Sequence, residues 1–145
     1  MRNTISIGNA GEYFVAGELE RRGFTAAVPM SNVKDFDILA ISRINPEKQY
    51  AVQVKTTGGR SPKWVLSKKA ETLIGKNILY VMVILNELSV PEYHIVPSSV
   101  IAECLKKEHS EWLNTLGKSG QEHHDNSMRV FRDPGNIYLN RWDYF

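Results

Sequence analysis

Apolar positions along the 145-residue chain change rhythm several times, and each rhythm predicts an element. Between residues 9 and 22 they recur at helical spacing, which predicts a helix stopped by Gly23 at a C-cap position. Phe24 to Val28 then reads as a short strand ended by Pro29. Strands are predicted over Asp37 to Ile41 and Tyr50 to Thr57, joined by a turn carrying Asn45-Pro46. Thr57-Gly58-Gly59-Arg60-Ser61-Pro62 is a loop of strong breakers, and Trp64 to Leu66 adds a short strand. Ser67 is placed to cap a helix running to about Leu73, with Glu71 in support. The unbroken apolar run Ile78 to Leu85 predicts a strand buried on both faces. A strand over Tyr93 to Val96 follows, then a helix opening at Pro97-Ser98 and running to about Leu116. Gly117 to Ser127 reads as a polar loop, and the aromatic tail Met128 to Phe145 is expected to pack back on the domain. The whole predicts one α/β domain with a central mixed sheet flanked by helices.

Composition narrows the class. Apolar residues make up 42% and charged residues 23%, a globular balance that excludes disordered and collagen-like chains. The lone Cys104 excludes a disulfide framework and a Cys-based zinc cluster, and points to a reduced, cytoplasmic setting. The first residues lack the apolar run of a signal peptide, and the longest apolar stretch is far too short to span a membrane, so a soluble protein is expected. Net charge is only +2, but its distribution is uneven. Between Arg43 and Lys69 stand seven basic residues (Arg43, Lys48, Lys55, Arg60, Lys63, Lys68, Lys69) against one acid, Glu47, a local 7 − 1 = +6. Such a run is either a solvated face or a patch that meets phosphates.

Three placements ask for an explanation. On a wheel of about 100° per residue, Glu12 falls in the middle of a stripe with Val15, Ala16 and Leu19. It is either a long side chain reaching out at the helix end or a carboxylate aimed into the fold. Asp37 begins a strand of apolar residues, either as a turn residue, with Asp35 two positions earlier, or as a positioned ligand. In Ala51-Val52-Gln53-Val54-Lys55-Thr56, alternation puts Val52, Val54 and Thr56 on one face and Gln53 and Lys55 on the other. That second face is either solvated or functional. Taken together, two carboxylates and an amide oxygen are hard ligands of the kind Mg²⁺ accepts, and a lysine beside them can handle a nucleophilic water and a phosphate charge.

The residues Gly8, Gly11-Glu12, Val15-Ala16, Leu19 and Gly23, then Asp37-Ile38-Leu39-Ala40, then Val52-Gln53-Val54-Lys55-Thr56 resemble the PD-(D/E)xK nuclease superfamily. That superfamily includes restriction endonucleases and Holliday junction resolvases. The resemblance covers roughly residues 8–57 and is to a variant with Gln at the (D/E) position. It implies a restriction-endonuclease-like αβββαβ core and a Mg²⁺- or Mn²⁺-dependent endonuclease cutting DNA. It further implies that Glu12, Asp37 and Gln53 hold metal with the backbone carbonyl of Val54, and that Lys55 manages the nucleophile.

Around that core, Thr57, Arg60, Lys63 and Lys68 are the expected nucleic-acid contacts, with an ordinary exposed loop as the other reading. Trp64 follows in the same stretch. Because cutting both strands of a duplex favours two active sites, a homodimer is expected. Gln53 also allows another class, a catalytically weak or inactive nuclease-fold nucleic-acid-binding protein; a third is an accessory or immunity-type protein-binding module. Ser98-Ser99 reads as a helix cap, and the His123-His124-Asp125 segment, His94 and His109 show no supporting pattern.

Overall fold

The computed structural model describes residues 3–30 and 36–145; Asp35 lies outside them. Helix α1 (Thr4–Arg21) starts five residues earlier than the periodicity predicts, because Asn3 caps it by accepting from the Ile5 amide at 2.9 Å. Its buried stripe is Gly11, Val15 and Leu19. The strands are β1 (Phe24–Ala27), β2 (Ile38–Ser42), β3 (Gln49–Thr57), β4 (Lys63–Ser67), β5 (Ile78–Ile84), β6 (Glu92–Pro97) and β7 (Met128–Arg132), with α2 (Ser98–Leu113) after β6.

Five strands form one mixed sheet in the order β1-β2-β3-β5-β6, in which β3 and β5 run parallel and the other neighbours antiparallel. This is the α/β class the sequence predicts, with a helix on each side. Parity divides the core in two. Val52 and Val54 of β3 and Leu79, Val81 and Val83 of β5 pack with Val15 and Leu19 of α1. Tyr80, Met82 and Ile84 point the other way, to Ile101 and Leu105 of α2 and to Trp64 and Leu66 of β4. The expectation that this run is buried on both faces holds.

The connection from β3 to β5 differs from the prediction. No helix runs from Ser67 to Leu73; a four-residue 3-10 turn, Lys68–Glu71, stands there, and Ser67 makes no capping hydrogen bond. Glu71 is drawn instead to Arg129, a residue far along the chain. The tail supplies the other surprise. Met128–Arg132 is a strand, β7, pairing antiparallel with β4 as a separate two-stranded sheet. Ser98 does not cap α2: its hydroxyl donates to the Gly75 carbonyl and accepts from the Gly75 amide. Among the described residues, no helix is long and apolar enough to cross a membrane.

Candidate active site

The site forms where β2 stops short of β3. Ile38 is the ladder partner of Val52, yet the Asp37 amide also reaches the Val52 carbonyl, at 2.8 Å. One step further along β3, the Asp37 carboxylate takes over the role of a β2 backbone carbonyl: its Oδ2 accepts from the Val54 amide at 2.8 Å. Beyond that point β3 has no strand beside it on this edge among the described residues. Backbone groups of alternate residues point to the same edge, so the Val54 carbonyl, in phase with Val52, faces the same gap.

Helix α1 brings the second carboxylate. A Cβ on Gly11 would land on the Thr56 hydroxyl, so only glycine lets the helix backbone come this close to β3. Glu12, next in the chain, lies about 60° from Val15 on the helix, at the edge of the buried stripe rather than its centre. From that edge it reaches the open end of the sheet. Burial, then the nearby Asp37 charge, push its carboxyl above the ordinary range, while Lys55 pulls it back. Glu12 on one face of the sheet and Asp37 and Lys55 on the other are thus in one another's field.

Gln53 and Lys55 share the face opposite α1, as alternation predicts. They line a cleft of about 260 Å³ with Ser67, Lys69 and Tyr80, floored by Leu66 and Leu73. Tyr80 is the β5 partner of Gln53. Its phenol is pushed up to about 12 by burial first and the Asp37 charge second, so it keeps its proton throughout the working range.

The remaining predicted contacts do not converge on this cleft. Thr57 accepts from the Gly59 amide through its hydroxyl at 3.4 Å, and Arg60 faces Glu87 at 3.6 Å. Lys63 lies at the far end of β4, in a groove with Trp112 of α2 and Arg132 of β7. Lys68 is not among the residues lining the cleft; its charge adds to the lowering of the Asp125 carboxyl, which comes chiefly from the hydrogen bond to His109. Arg43 is held by Glu20 and Lys48 by the Phe145 backbone oxygen. The basic run is therefore dispersed over the molecule, and of its seven members only Lys55 and Lys69 face the cleft. Two histidines have partners that sequence spacing hides. His94 Nδ1 meets Asp133 Oδ2 at 2.7 Å in the core, and His109 Nε2 meets Asp125 Oδ1 at 2.7 Å.

Comparison with solved structures finds a bacterial homing endonuclease, I-Ssp6803I, with a TM-score of 0.56 and 13% identity over 99% of this chain and 91% of that one. The chain shares the fold of that protein. No protein-family model matches the sequence, and no curated protein matches it.

The donor set can be tested against a divalent cation. Among the described residues no three His, Cys, Asp or Glu side chains are grouped to hold a metal ion. The site offers two carboxylates, and its other oxygens belong to an amide and a backbone carbonyl. That is an all-oxygen set, suited to a hard ion that keeps several waters. The Asp37 charge already raises the Glu12 carboxyl, so the two carboxylates provide the negative field such an ion needs.

Proposed function

We propose that this protein is a metal-dependent endonuclease of the PD-(D/E)xK type that hydrolyses DNA phosphodiester bonds. The observation that carries the reading is the broken edge of β3, where Asp37 is fixed on the Val54 amide with Glu12 and Lys55 in its field. Glu12, Asp37, the Val54 carbonyl and the Gln53 amide oxygen would hold Mg²⁺ or Mn²⁺. When bound, that ion supplies Lewis-acid polarisation of the phosphate and a more acidic water. Lys55 orients the attacking water by hydrogen bonding and offsets the charge that builds on the phosphate. Asp37 is kept in place by its hydrogen bond to the Val54 amide. The nuclease fold of the structural neighbour supports this reading, and a two-fold pair of chains would let both strands be cut.

Plasmid nicking in Mg²⁺ or Mn²⁺ tests it. Wild type is expected to nick, and Lys55→Ala and Asp37→Ala to lose about a hundredfold or more. Equal nicking by all three overturns the assignment. Gln53 favours a second reading, a nuclease-fold protein that binds nucleic acid with little catalysis, because its amide leaves the site one charge short. Calorimetry separates the two: duplex binding without any divalent ion bound at millimolar concentration selects the second.

A further inference from the structure

The cleft beside Gln53 and Lys55 has a chemistry of its own. Each polar side chain lining it can donate a hydrogen bond: the Lys55 and Lys69 ammonium groups, the Ser67 and Tyr80 hydroxyls, and the Gln53 amide. Among the described residues no carboxylate lines it. Ser67 stands at the start of the 3-10 turn without using its hydroxyl as a cap, and so keeps it available. Tyr80 has its ring buried to 2% exposure, and its hydroxyl pairs with no described group. Yet that oxygen is not sealed, since the sealed unpartnered polar atoms among the described residues are His94 Nε2 and Trp142 Nε1. A rigid donor on a buried ring thus opens into a cationic cleft.

We propose that this cleft is a phosphate subsite for the nucleic-acid backbone, holding a phosphate adjacent to the one that is cut, through Lys69, Ser67 and Tyr80. The proposal rests on the nuclease reading for the identity of its ligand. Its residues are separate from those assigned to chemistry: Lys69 carries the charge, and Tyr80 supplies direction without charge. Both hydroxyls suit an anionic oxygen acceptor, and a phosphate there meets the Lys69 ammonium with no carboxylate of the described residues in the lining. Of the adjacent pair Lys68 and Lys69, Lys69 is the one that lines this cleft.

Equilibrium binding of a short fluorescent DNA duplex, measured without divalent ions over a series of salt concentrations, tests the subsite. Lys69→Met should weaken binding about threefold and lower the slope of log K against log salt by about 1. Tyr80→Phe should weaken it roughly tenfold and leave that slope unchanged, because no charge is removed. Thermal melts should match wild type for both variants, since neither side chain gives up a hydrogen bond within the fold. Lys63→Met, at the far end of β4, should change neither binding nor slope as much as Lys69→Met. Wild-type affinity and slope in both Lys69→Met and Tyr80→Phe overturn the subsite. Should Lys55→Ala abolish nicking in the same preparations, the nuclease reading stands without it. Wild-type protein without affinity for DNA overturns the subsite directly, and retained nicking by Lys55→Ala removes the nuclease reading alone.

Discussion

Glu12 shows how one side chain can be set against the fold that holds it. Its carboxyl is raised, first by burial and then by Asp37, so the folded state grips the proton more tightly than the unfolded chain does. Between the ordinary carboxyl pKa and the raised one the native state binds more protons, and stability falls as pH rises through that window. Glu12→Gln removes the titration. Denaturant midpoints of metal-free protein from acid to neutral pH should therefore show the variant losing this decline and exceeding wild type at neutral pH. If the two curves run parallel, the Glu12 carboxyl has no special environment. Gln53 works in the opposite sense, since its amide leaves out a charge. Gln53→Glu would add one beside Asp37, worth roughly 4 kcal/mol at an effective dielectric near 20 before screening. With solvent and Lys55 screening most of it, Mg²⁺ should bind on the order of tenfold tighter, about 1.4 kcal/mol by calorimetry. Unchanged affinity in Gln53→Glu and Asp37→Ala alike would make Gln53 a solvent-face residue.

Helix α1 and strand β3 act as one unit because Gly11 sits on Thr56. Gly11→Ala should gain up to about 1 kcal/mol of helix propensity and lose roughly 1–3 to the clash. Adding Thr56→Ser, which keeps the hydroxyl, gives little relief, whereas Thr56→Gly frees the space. A double-mutant cycle of Gly11→Ala with Thr56→Gly should show coupling of about 0.5–3 kcal/mol, read by denaturant unfolding. Additive effects would mean that the helix does not rest on this contact. Such elements were legible in the sequence to different depths. The parity of β3, with Val52 and Val54 inward and Gln53 and Lys55 on the other face, follows from strand geometry alone, and the structure keeps it. The helix predicted after Ser67 does not form, because Glu71 serves Arg129 of β7 instead of a helix start. Strand β7 itself was invisible as a strand, since its reason to exist is β4, more than 60 residues earlier in the chain. Tyr80 was hidden for the same reason, as one hydroxyl in an apolar run whose neighbour Gln53 is known only from the register of β3 on β5.

The distant parts of the molecule are joined by its last residues. Asp133 accepts from the Ile137 and Tyr138 amides and meets buried His94, fixing the tail to β6. The Ile95 amide donates to the Tyr138 carbonyl and the Asn140 amide to the Tyr93 carbonyl, so the tail covers the β6 edge, which would otherwise present unpaired backbone groups. From there the chain crosses the α1 face. Trp142 takes the Arg22 guanidinium over its ring at 4.3 Å, and Phe145 wedges against Phe24 and Tyr50, ring centres 5.6 and 5.1 Å away. The tail therefore ties one edge of the sheet, at β6, to the other, at β1. Deleting the Phe145 ring should cost about 3 kcal/mol, within the range for a buried Phe→Ala change. For a domain of this size each kcal/mol moves Tm by roughly 2–4 °C, so Phe145→Ala should melt about 6–12 °C lower. Nicking per folded molecule, measured well below that transition, should stay at the wild-type rate, because the residues around the β3 edge are untouched. A melt unchanged from wild type would show that the tail lies on the core without belonging to its cooperative unit. Lowered nicking at a temperature where the variant is fully folded would instead mean that strain at the sheet edges reaches the gap between β2 and β3.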